Sequence, residues 1–232
     1  MGSVLCLETS SGVCSVAIGK DGVIISCHES DQKNAHSSQL TSQVDCAMQD
    51  AGLTLNELDA IAVSMGPGSY TGLRIGVAAA KGFCYALGKP MIAIPTLKAL
   101  ALGMRELIKD ESLFMLCPML DARRMEVYTA VYDSNLAEIS PVSAEIITGE
   151  SYADLLNSFT VIFGGEGAEK CKPLLGFMKN AVFIDDFKLS ARFLYPLALE
   201  KFRLGSFEEL AYFEPYYLKD FIAGKPRVKG LK

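Results

Sequence analysis

A glycine-rich segment at residues 66–76, GPGSYTGLRIG, is the part of this 232-residue chain whose composition most suggests ligand chemistry. It lies between a run that predicts a strand and a pattern that predicts a helix, and the backbone N–H groups of a helix N-terminus favour anions. The nucleotide-binding patterns GxxxxGK[ST] and GxGxxG both fail, the second because Thr71 stands where the third glycine is required. The alternative is structural: the glycines allow the helix to pack closely on its neighbours.

Two other turns could contact a nucleotide. The first predicted strand ends at Glu8-Thr9-Ser10, where a carboxylate followed by hydroxyls could hold a metal–phosphate group. A later predicted strand ends at Gly164-Gly165-Glu166-Gly167, where glycines would let a nucleoside approach the backbone. Both sequences are also common in ordinary turns. The candidate nucleotide-binding residues are Glu8, Thr9, Ser10, Gly164, Gly165 and Gly167.

The sequence offers little for catalysis or metal binding. Its two histidines, His28 and His36, are eight residues apart, which fits neither one helix face nor a known ligand spacing. Seven cysteines are scattered with no CxxC pair, so we expect reduced thiols and no zinc site. We predict no catalytic residue and no metal site. Arg123 and Arg124 are predicted in a turn after a strand, where they either form surface ion pairs or contact a partner.

Composition limits the classes of protein. Half of the residues are hydrophobic and 21% are charged, yet no window approaches the roughly 18 apolar residues of a membrane span. The first residues lack a cationic region, so we expect no signal peptide and a soluble, cytoplasmic protein without membrane contact. The net charge of −5 opposes nucleic-acid binding. Residues 218–232, however, carry five cations against Asp220, and this basic tail is either solvated or touches RNA or an acidic partner.

Hydrophobic periodicity predicts the element order βββαβαβα for the first half of the chain. Its strands are predicted at residues 4–7, 13–18, 23–27, 58–64 and 91–94, and its helices at 37–51, 71–87 and 96–109. The second half is predicted to hold strands at 114–120, 126–132, 146–147, 160–163 and 182–184, and helices at 151–157, 168–175 and 191–204. This is an α/β pattern with mixed sheets and helices on their faces. We expect one lobe over residues 1–104 and a smaller second lobe over 105–232.

Two helices of the first half have surfaces suited to another subunit. The helix at 37–51 has a polar but mostly uncharged face, and the helix at 71–87 is rich in glycine and alanine. Each interior glycine costs about 0.5–1 kcal/mol relative to alanine, so these glycines need a compensating contact, either with the chain's own sheet or with a partner's helix. Interfaces are also depleted of charge at their centres. The predicted partner-binding residues are Leu40, Gln43, Val44, Ala47, Gly72, Arg74, Ile75, Gly76, Ala79, Ala80 and Phe83.

Five segments, in order along the chain, resemble the motifs of the TsaB (YeaZ) family. They are LCLETSSGVCSVA at 5–17, GPGSYTGLRIG at 66–76, IPTLKAL at 94–100, DARRMEVY at 121–128 and PYYLK at 215–219. The glycine-rich motif is the most specific of them, and the ordered set spans most of the chain. The resemblance implies an actin-like fold of the sugar-kinase/Hsp70 type, with two lobes that are each built on a mixed sheet flanked by helices.

The resemblance also implies a function, the synthesis of threonylcarbamoyladenosine beside the anticodon of tRNA. The family's chain is a non-catalytic partner of the homologous transferase TsaD, joined by the ATPase TsaE, and forms homodimers when alone. ATP and Mg are then used by the complex, tRNA is bound through the complex, and this chain requires no cofactor itself. TsaD's metal-binding histidine pair is absent here, and Glu8 replaces the usual aspartate of the fold's first phosphate turn. The alternative is a weak ATP-binding or ATP-hydrolysing enzyme, or a glycoprotease-like protein.

Overall fold

The first of two five-stranded sheets is built from the N-terminal half of the chain. The computed structural model describes residues 2–31, 35–109 and 113–219, the side chains of 35–38 excepted. The sheet has the order β3-β2-β1-β4-β5, with β1, β2 and β3 antiparallel and β4 and β5 parallel to β1. Its strands are β1 (Val4–Glu8), β2 (Cys14–Lys20), β3 (Val23–Ser30), β4 (Ala60–Gly66) and β5 (Met91–Pro95), and its helices are α1 (Ala35–Ala51), α2 (Tyr70–Leu87) and α3 (Thr96–Leu107).

The second sheet repeats this plan. An antiparallel meander, β6 to β8, is extended by two parallel strands, β9 and β10, and the order is β10-β9-β6-β7-β8. The strands are β6 (Phe114–Asp121), β7 (Glu126–Asp133), β8 (Glu138–Ile146), β9 (Thr160–Gly164) and β10 (Ala181–Ile184), and the helices are α4 (Ala153–Ser158), α5 (Glu166–Leu175) and α6 (Leu194–Arg203). The predicted α/β class with two mixed-sheet lobes and flanking helices is therefore confirmed.

A single apolar core lies between the two sheets. It joins Cys6 and Ile94 of the first sheet to Leu116 and Tyr132 of the second, with α3 between them. The outer face of the first sheet is covered by α1 and α2, and that of the second by α4 and α5. Because the lobes share buried apolar surface, they form one packed body.

The C-terminal part of the chain returns to the first lobe. Helix α6 packs against strands of the first sheet, and the Lys201 ammonium donates to the Ala93 carbonyl at 2.8 Å. The Glu208 N–H then donates to the Met91 carbonyl at 2.9 Å. These contacts are made by residues that the expected boundary assigned to the second lobe over 105–232, and the boundary itself stays a prediction. The contacts arise because the apolar face of α6, which includes Tyr195, fills the core between the sheets.

The clearest difference in secondary structure is β8, of which the sequence predicted only residues 146–147. This strand lies at the edge of its sheet and is partly exposed, and it contains Pro141. An edge strand needs no alternation of apolar residues, so periodicity does not reveal it. Within the described ranges, no helix is long and apolar enough to cross a membrane.

Candidate functional site

The first candidate turn contains a fully buried carboxyl group. Glu8 ends β1, and its Oε1 accepts hydrogen bonds from the backbone N–H and the hydroxyl of Ser10, each at 2.5 Å. Its Oε2 has no partner among the described residues. Burial raises the pKa of Glu8 to about 7, although the hydrogen bonds from Ser10 lower it. The group is therefore poised between its two protonation states near neutral pH.

The glycine-rich segment packs directly on this turn. The Thr9 hydroxyl donates to the Gly72 carbonyl at 2.8 Å, and the Ser69 N–H donates to the Ser10 carbonyl at 2.7 Å. A Cβ on Gly72 would lie 1.9 Å from the Thr9 carbonyl oxygen, and one on Gly76 would lie 2.2 Å from the Thr9 hydroxyl. The structural interpretation of the glycines is thus confirmed: they let α2 approach the end of β1.

The N-terminus of α2 is capped by a side chain of its own loop. Ser69 caps the helix by accepting from the Gly72 N–H at 3.3 Å, and its own N–H is bonded as described. An anion at this helix end would have to displace these bonds.

The second candidate turn packs against the second lobe in a similar way. Gly165 has a φ of +103°, and a Cβ there would lie 2.5 Å from the Met119 carbonyl oxygen. A Cβ on Gly167 would lie 2.8 Å from the Leu120 backbone, and one on Gly164 would lie 3.1 Å from a methionine sulfur of α3. The close approach that these glycines permit is therefore used by the chain's own backbone and side chains.

The two candidate turns meet across the lobes through Glu166. Its Oε1 accepts a hydrogen bond from the Gly12 N–H at 2.7 Å, and its charge contributes to the raised pKa of Glu8. The structure thus brings the turn that holds Glu8 and Ser10 close to the turn at 164–167, a proximity that the sequence analysis did not predict. Glu166 and Gly12 were not among the candidate residues. The sequence feature that could have identified Glu166 is its position as the one carboxylate in the glycine-rich run at 164–167. Nucleotide binding by these turns stays a prediction.

The predicted partner-binding residues separate into buried and accessible positions. Six are buried within this chain: Leu40, Val44, Ala47, Gly72, Gly76 and Ala80. Four are partly exposed, namely Gln43, Ile75, Ala79 and Phe83, and Arg74 is exposed. The buried six pack under their own helices against the first sheet or the end of β1. Partner binding stays a prediction for all eleven residues, and the accessible five are the ones that a partner can reach without rearrangement.

Small residues do reach the surface of α2, but at other positions. Ala78, Gly82, Tyr85 and Ala86 are exposed, and Tyr85 is 85% exposed. A Cβ on Gly82 would meet no atom within 4 Å. We call these four residues the α2 stripe. Periodicity could not separate the two faces of α2, because both carry glycine and alanine.

A further surface lies where the C-terminal segment meets the turn between β6 and β7. Lys219 pairs with Glu126, and Lys170 pairs with Asp121. Lys170 also donates to the carbonyls of Arg124, at 2.7 Å, and of Glu126, at 2.6 Å. Arg124 lies in this turn with a positive φ.

Arg123 and Arg124 lie in this turn, where the sequence analysis expected them to form surface ion pairs or to contact a partner. Arg123 and Arg124 are exposed and have φ values of 70° and 51°. Neither arginine forms an ion pair with another described residue. Among the described residues, the prediction of surface ion pairs for these arginines is therefore wrong. The described residues also contain no cluster of three or more metal-ligating side chains. The cations of the basic tail from Lys225 onward lie outside the described residues.

Comparisons with known proteins agree with the motif order. A family model described as "TsaD: tRNA N6-adenosine threonylcarbamoyltransferase" matches residues 24–161, more than half of the chain. The tRNA threonylcarbamoyladenosine biosynthesis protein TsaB of Escherichia coli (strain K12) is 29% identical over 230 residues, covering 96% of both chains. The structure of YeaZ from Pseudomonas aeruginosa has a TM-score of 0.79 and 25% identity, covering 94% of this chain and 100% of that one.

A more distant neighbour shows the fold alone. The activator of 2-hydroxyisocaproyl-CoA dehydratase from Clostridium difficile with bound ADPNP has a TM-score of 0.51 at 10% identity, covering 89% of this chain and 98% of that one. The architecture is the actin-like one. Because the motifs, the repeated two-lobe plan and the family match agree, the chain belongs to the TsaB (YeaZ) family, whose named members are tRNA threonylcarbamoyladenosine biosynthesis proteins.

Proposed function

We propose that this chain is a non-catalytic scaffold subunit in the biosynthesis of threonylcarbamoyladenosine in tRNA. It binds and supports the transferase TsaD, with the ATPase TsaE joining the assembly, and pairs with a second copy of itself when TsaD is absent. ATP and Mg serve the complex, and tRNA is bound through the complex. The names of the relatives and the TsaD-type family match support this proposal.

The hydrogen bond between Gly12 and Glu166 carries the non-catalytic part of the proposal. In an actin-like fold, a nucleotide phosphate would need the free backbone and hydroxyl groups of the first turn. Here the Gly12 N–H is bonded to Glu166, the Ser10 N–H and hydroxyl to Glu8, and the Thr9 hydroxyl to a carbonyl of α2. These four groups of the turn are therefore already bonded within the chain, and one of their partners is the Glu166 carboxylate.

The α2 stripe supports the partner-binding part. Small exposed residues on a helix allow a second helix to approach closely, and an exposed tyrosine is a common anchor at interfaces. Gly82 is the best position for a test of the stripe, because a Cβ added there would lie more than 4 Å from any other atom of the chain. Its location inside α2 also gives it a cost of about 0.5–1 kcal/mol relative to alanine, which a partner contact would offset.

A tryptophan at position 82 tests this proposal. We expect Gly82→Trp to remain folded but to lose co-purification with TsaD and to lose support of tRNA modification in a reconstituted reaction. Gly149→Trp is the matched control, because a Cβ on Gly149 also meets nothing within 4 Å and its φ is not positive. Unchanged TsaD capture by the Gly82 variant would refute the assignment of the interface to the α2 stripe.

A second candidate function is weak ATP binding or hydrolysis, and the Glu8 carboxyl favours it. A buried carboxyl with a pKa of about 7 and an unbonded oxygen has the properties of a general acid or base. ATP turnover by the isolated chain that is lost in Glu8→Gln would support this candidate. Absence of both turnover and calorimetric ATP binding would leave the scaffold function.

A further inference from the structure

Two exposed arginines are held side by side on a rigid turn. The Arg123 N–H donates to Asp121 at 2.9 Å, the Glu126 N–H donates to the Arg123 carbonyl at 3.2 Å, and Lys170 binds the Arg124 carbonyl. Both arginines have positive φ, a conformation that is unfavourable for such side chains and that the surrounding hydrogen bonds impose. Their guanidinium groups have no carboxylate partner among the described residues. The turn therefore fixes the backbone of two adjacent arginines, and guanidinium groups are suited to phosphate oxygens.

A stack of planar groups lies at the N-terminal end of α2. The Arg74 guanidinium is 5.6 Å from the centre of the Tyr70 ring, and the Tyr70 and Tyr217 rings are 4.8 Å apart at 38°. Tyr217 is 37% exposed. An exposed aromatic ring that is supported from behind by another ring can stack with an unpaired base.

The Lys219–Glu126 ion pair connects the segment that holds Tyr217 to the arginine turn. Lys219 is two residues after Tyr217, so their Cα atoms are at most about 7 Å apart. Its partner Glu126 is the residue that closes the arginine turn. The carboxylates of this surface are mostly compensated: Glu126 pairs with Lys219 and Asp121 with Lys170, leaving Glu214 near Tyr217. The two arginines therefore act as uncompensated positive charges on a chain whose net charge is −5.

We propose that this surface binds a single-stranded segment of RNA, with backbone phosphates on Arg123 and Arg124 and a base stacked on Tyr217. The chemistry follows from paired guanidinium groups next to an aromatic platform, the combination that single-stranded RNA sites use. The identification of that RNA with tRNA rests on the proposed function. The surface does not include the four residues of the α2 stripe, although Arg74 of its planar stack is also a predicted partner-binding residue.

The test measures binding of a labelled single-stranded RNA of about a dozen nucleotides to the full chain by fluorescence anisotropy, at about 50 and 200 mM salt. The double variant Arg123→Asn, Arg124→Asn removes both charges, and asparagine tolerates positive φ. Because each phosphate contact contributes about 0.7 to the salt slope for single strands, we expect the slope to fall by about 1.4. The charge-matched control is the double variant Lys89→Gln, Lys179→Gln. These lysines precede β5 and β10, at the amino ends of those strands, whereas the arginine turn follows the carboxyl end of β6.

The stacking part has its own pair of variants. Tyr217→Ala is expected to weaken binding about fivefold or more with an unchanged salt slope, whereas Tyr217→Phe keeps the ring and the affinity. The proposal is overturned if the arginine variant and the lysine control have equal salt slopes, or if the two Tyr217 variants have equal affinities. It is also overturned if the wild-type chain does not bind RNA at the lower salt concentration. All measurements use the chain without TsaD. Loss of RNA binding with retained TsaD capture therefore overturns this site alone, and the reverse result overturns only the scaffold function.

Discussion

The Glu166 carboxylate, in the first turn of α5, accepts a 2.7 Å hydrogen bond from the Gly12 N–H, in the turn between β1 and β2. This bond connects the two lobes near the carboxyl ends of β1 and β9, and ligands of open α/β sheets ordinarily bind at the carboxyl ends of strands. The carboxylate also lies near Glu8 and contributes to the raised pKa of that buried group. A side chain of the charge that a phosphate would bring therefore already occupies the Gly12 N–H.

Removal of this interlobe bond is expected to reduce stability modestly. Glu166→Ala should lower the free energy of unfolding by about 1 kcal/mol, because a hydrogen bond to a charged acceptor is lost at a partly exposed site. Urea denaturation measures the change. Glu166→Gln keeps an acceptor oxygen and should recover part of the loss. Equal stability of wild type and Glu166→Ala would show that the bond contributes nothing to the packing of the lobes.

The two interior glycines of α2 should respond in opposite directions to the same substitution. Gly76→Ala places a Cβ 2.2 Å from the Thr9 hydroxyl, so we expect a loss of about 1–3 kcal/mol in the free energy of unfolding. Gly82→Ala meets no neighbouring atom and should gain about 0.5–1 kcal/mol from helix propensity. Thermal and urea unfolding of both variants would decide the matter. A loss at Gly82 would contradict the exposed position that the structure gives it.

The Glu8 carboxyl should make the stability depend on pH in the weakly acidic range. Burial raises its pKa to about 7 in the folded state, from an ordinary value of 4.5. Below pH 4.5 both states are protonated, so its favourable contribution is fully present. It is lost as the pH rises to 7, because only the unfolded state ionises freely over that interval. The Glu8→Gln variant has no carboxyl group that titrates at this position. Its free energy of unfolding relative to that of wild type should therefore rise by about 3 kcal/mol between pH 4.5 and 8.

Urea unfolding of wild type and Glu8→Gln at several pH values measures this effect. The comparison uses the difference between the two proteins, so that the titration of other groups cancels. A difference that does not change with pH would mean that Glu8 ionises in the folded protein as it does in water.

Lys170 should be more important for stability than its exposed neighbour Lys172. The Lys170 ammonium binds Asp121 and two backbone carbonyls of the arginine turn, whereas Lys172 pairs with the exposed Asp185. Lys170→Met leaves the two carbonyls without their donor and should cost about 2 kcal/mol. Lys172→Met should change stability little, because exposed ion pairs contribute little. Similar unfolding curves for the two variants would indicate that the turn is held by its backbone hydrogen bonds alone.

Sequence patterns predicted most of the regular structure because its signals are local. Alternating and helical periodicity located the first-lobe elements and most of the second-lobe ones, and their order gave the fold class. Edge strand β8 was largely missed, because its partly exposed residues have no need to alternate.

The sequence by itself determined the class of fold, the two candidate turns and the ordered motifs of the family, because each depends on residues close together in the chain. Only the tertiary structure decided which face of α2 is free and where Glu166 makes its hydrogen bond. These features depend on contacts between residues far apart in sequence: Gly12 and Glu166 are separated by 154 positions. Glycine and alanine occur on both faces of α2, so only packing against Thr9 distinguishes the buried Gly76 from the exposed Gly82.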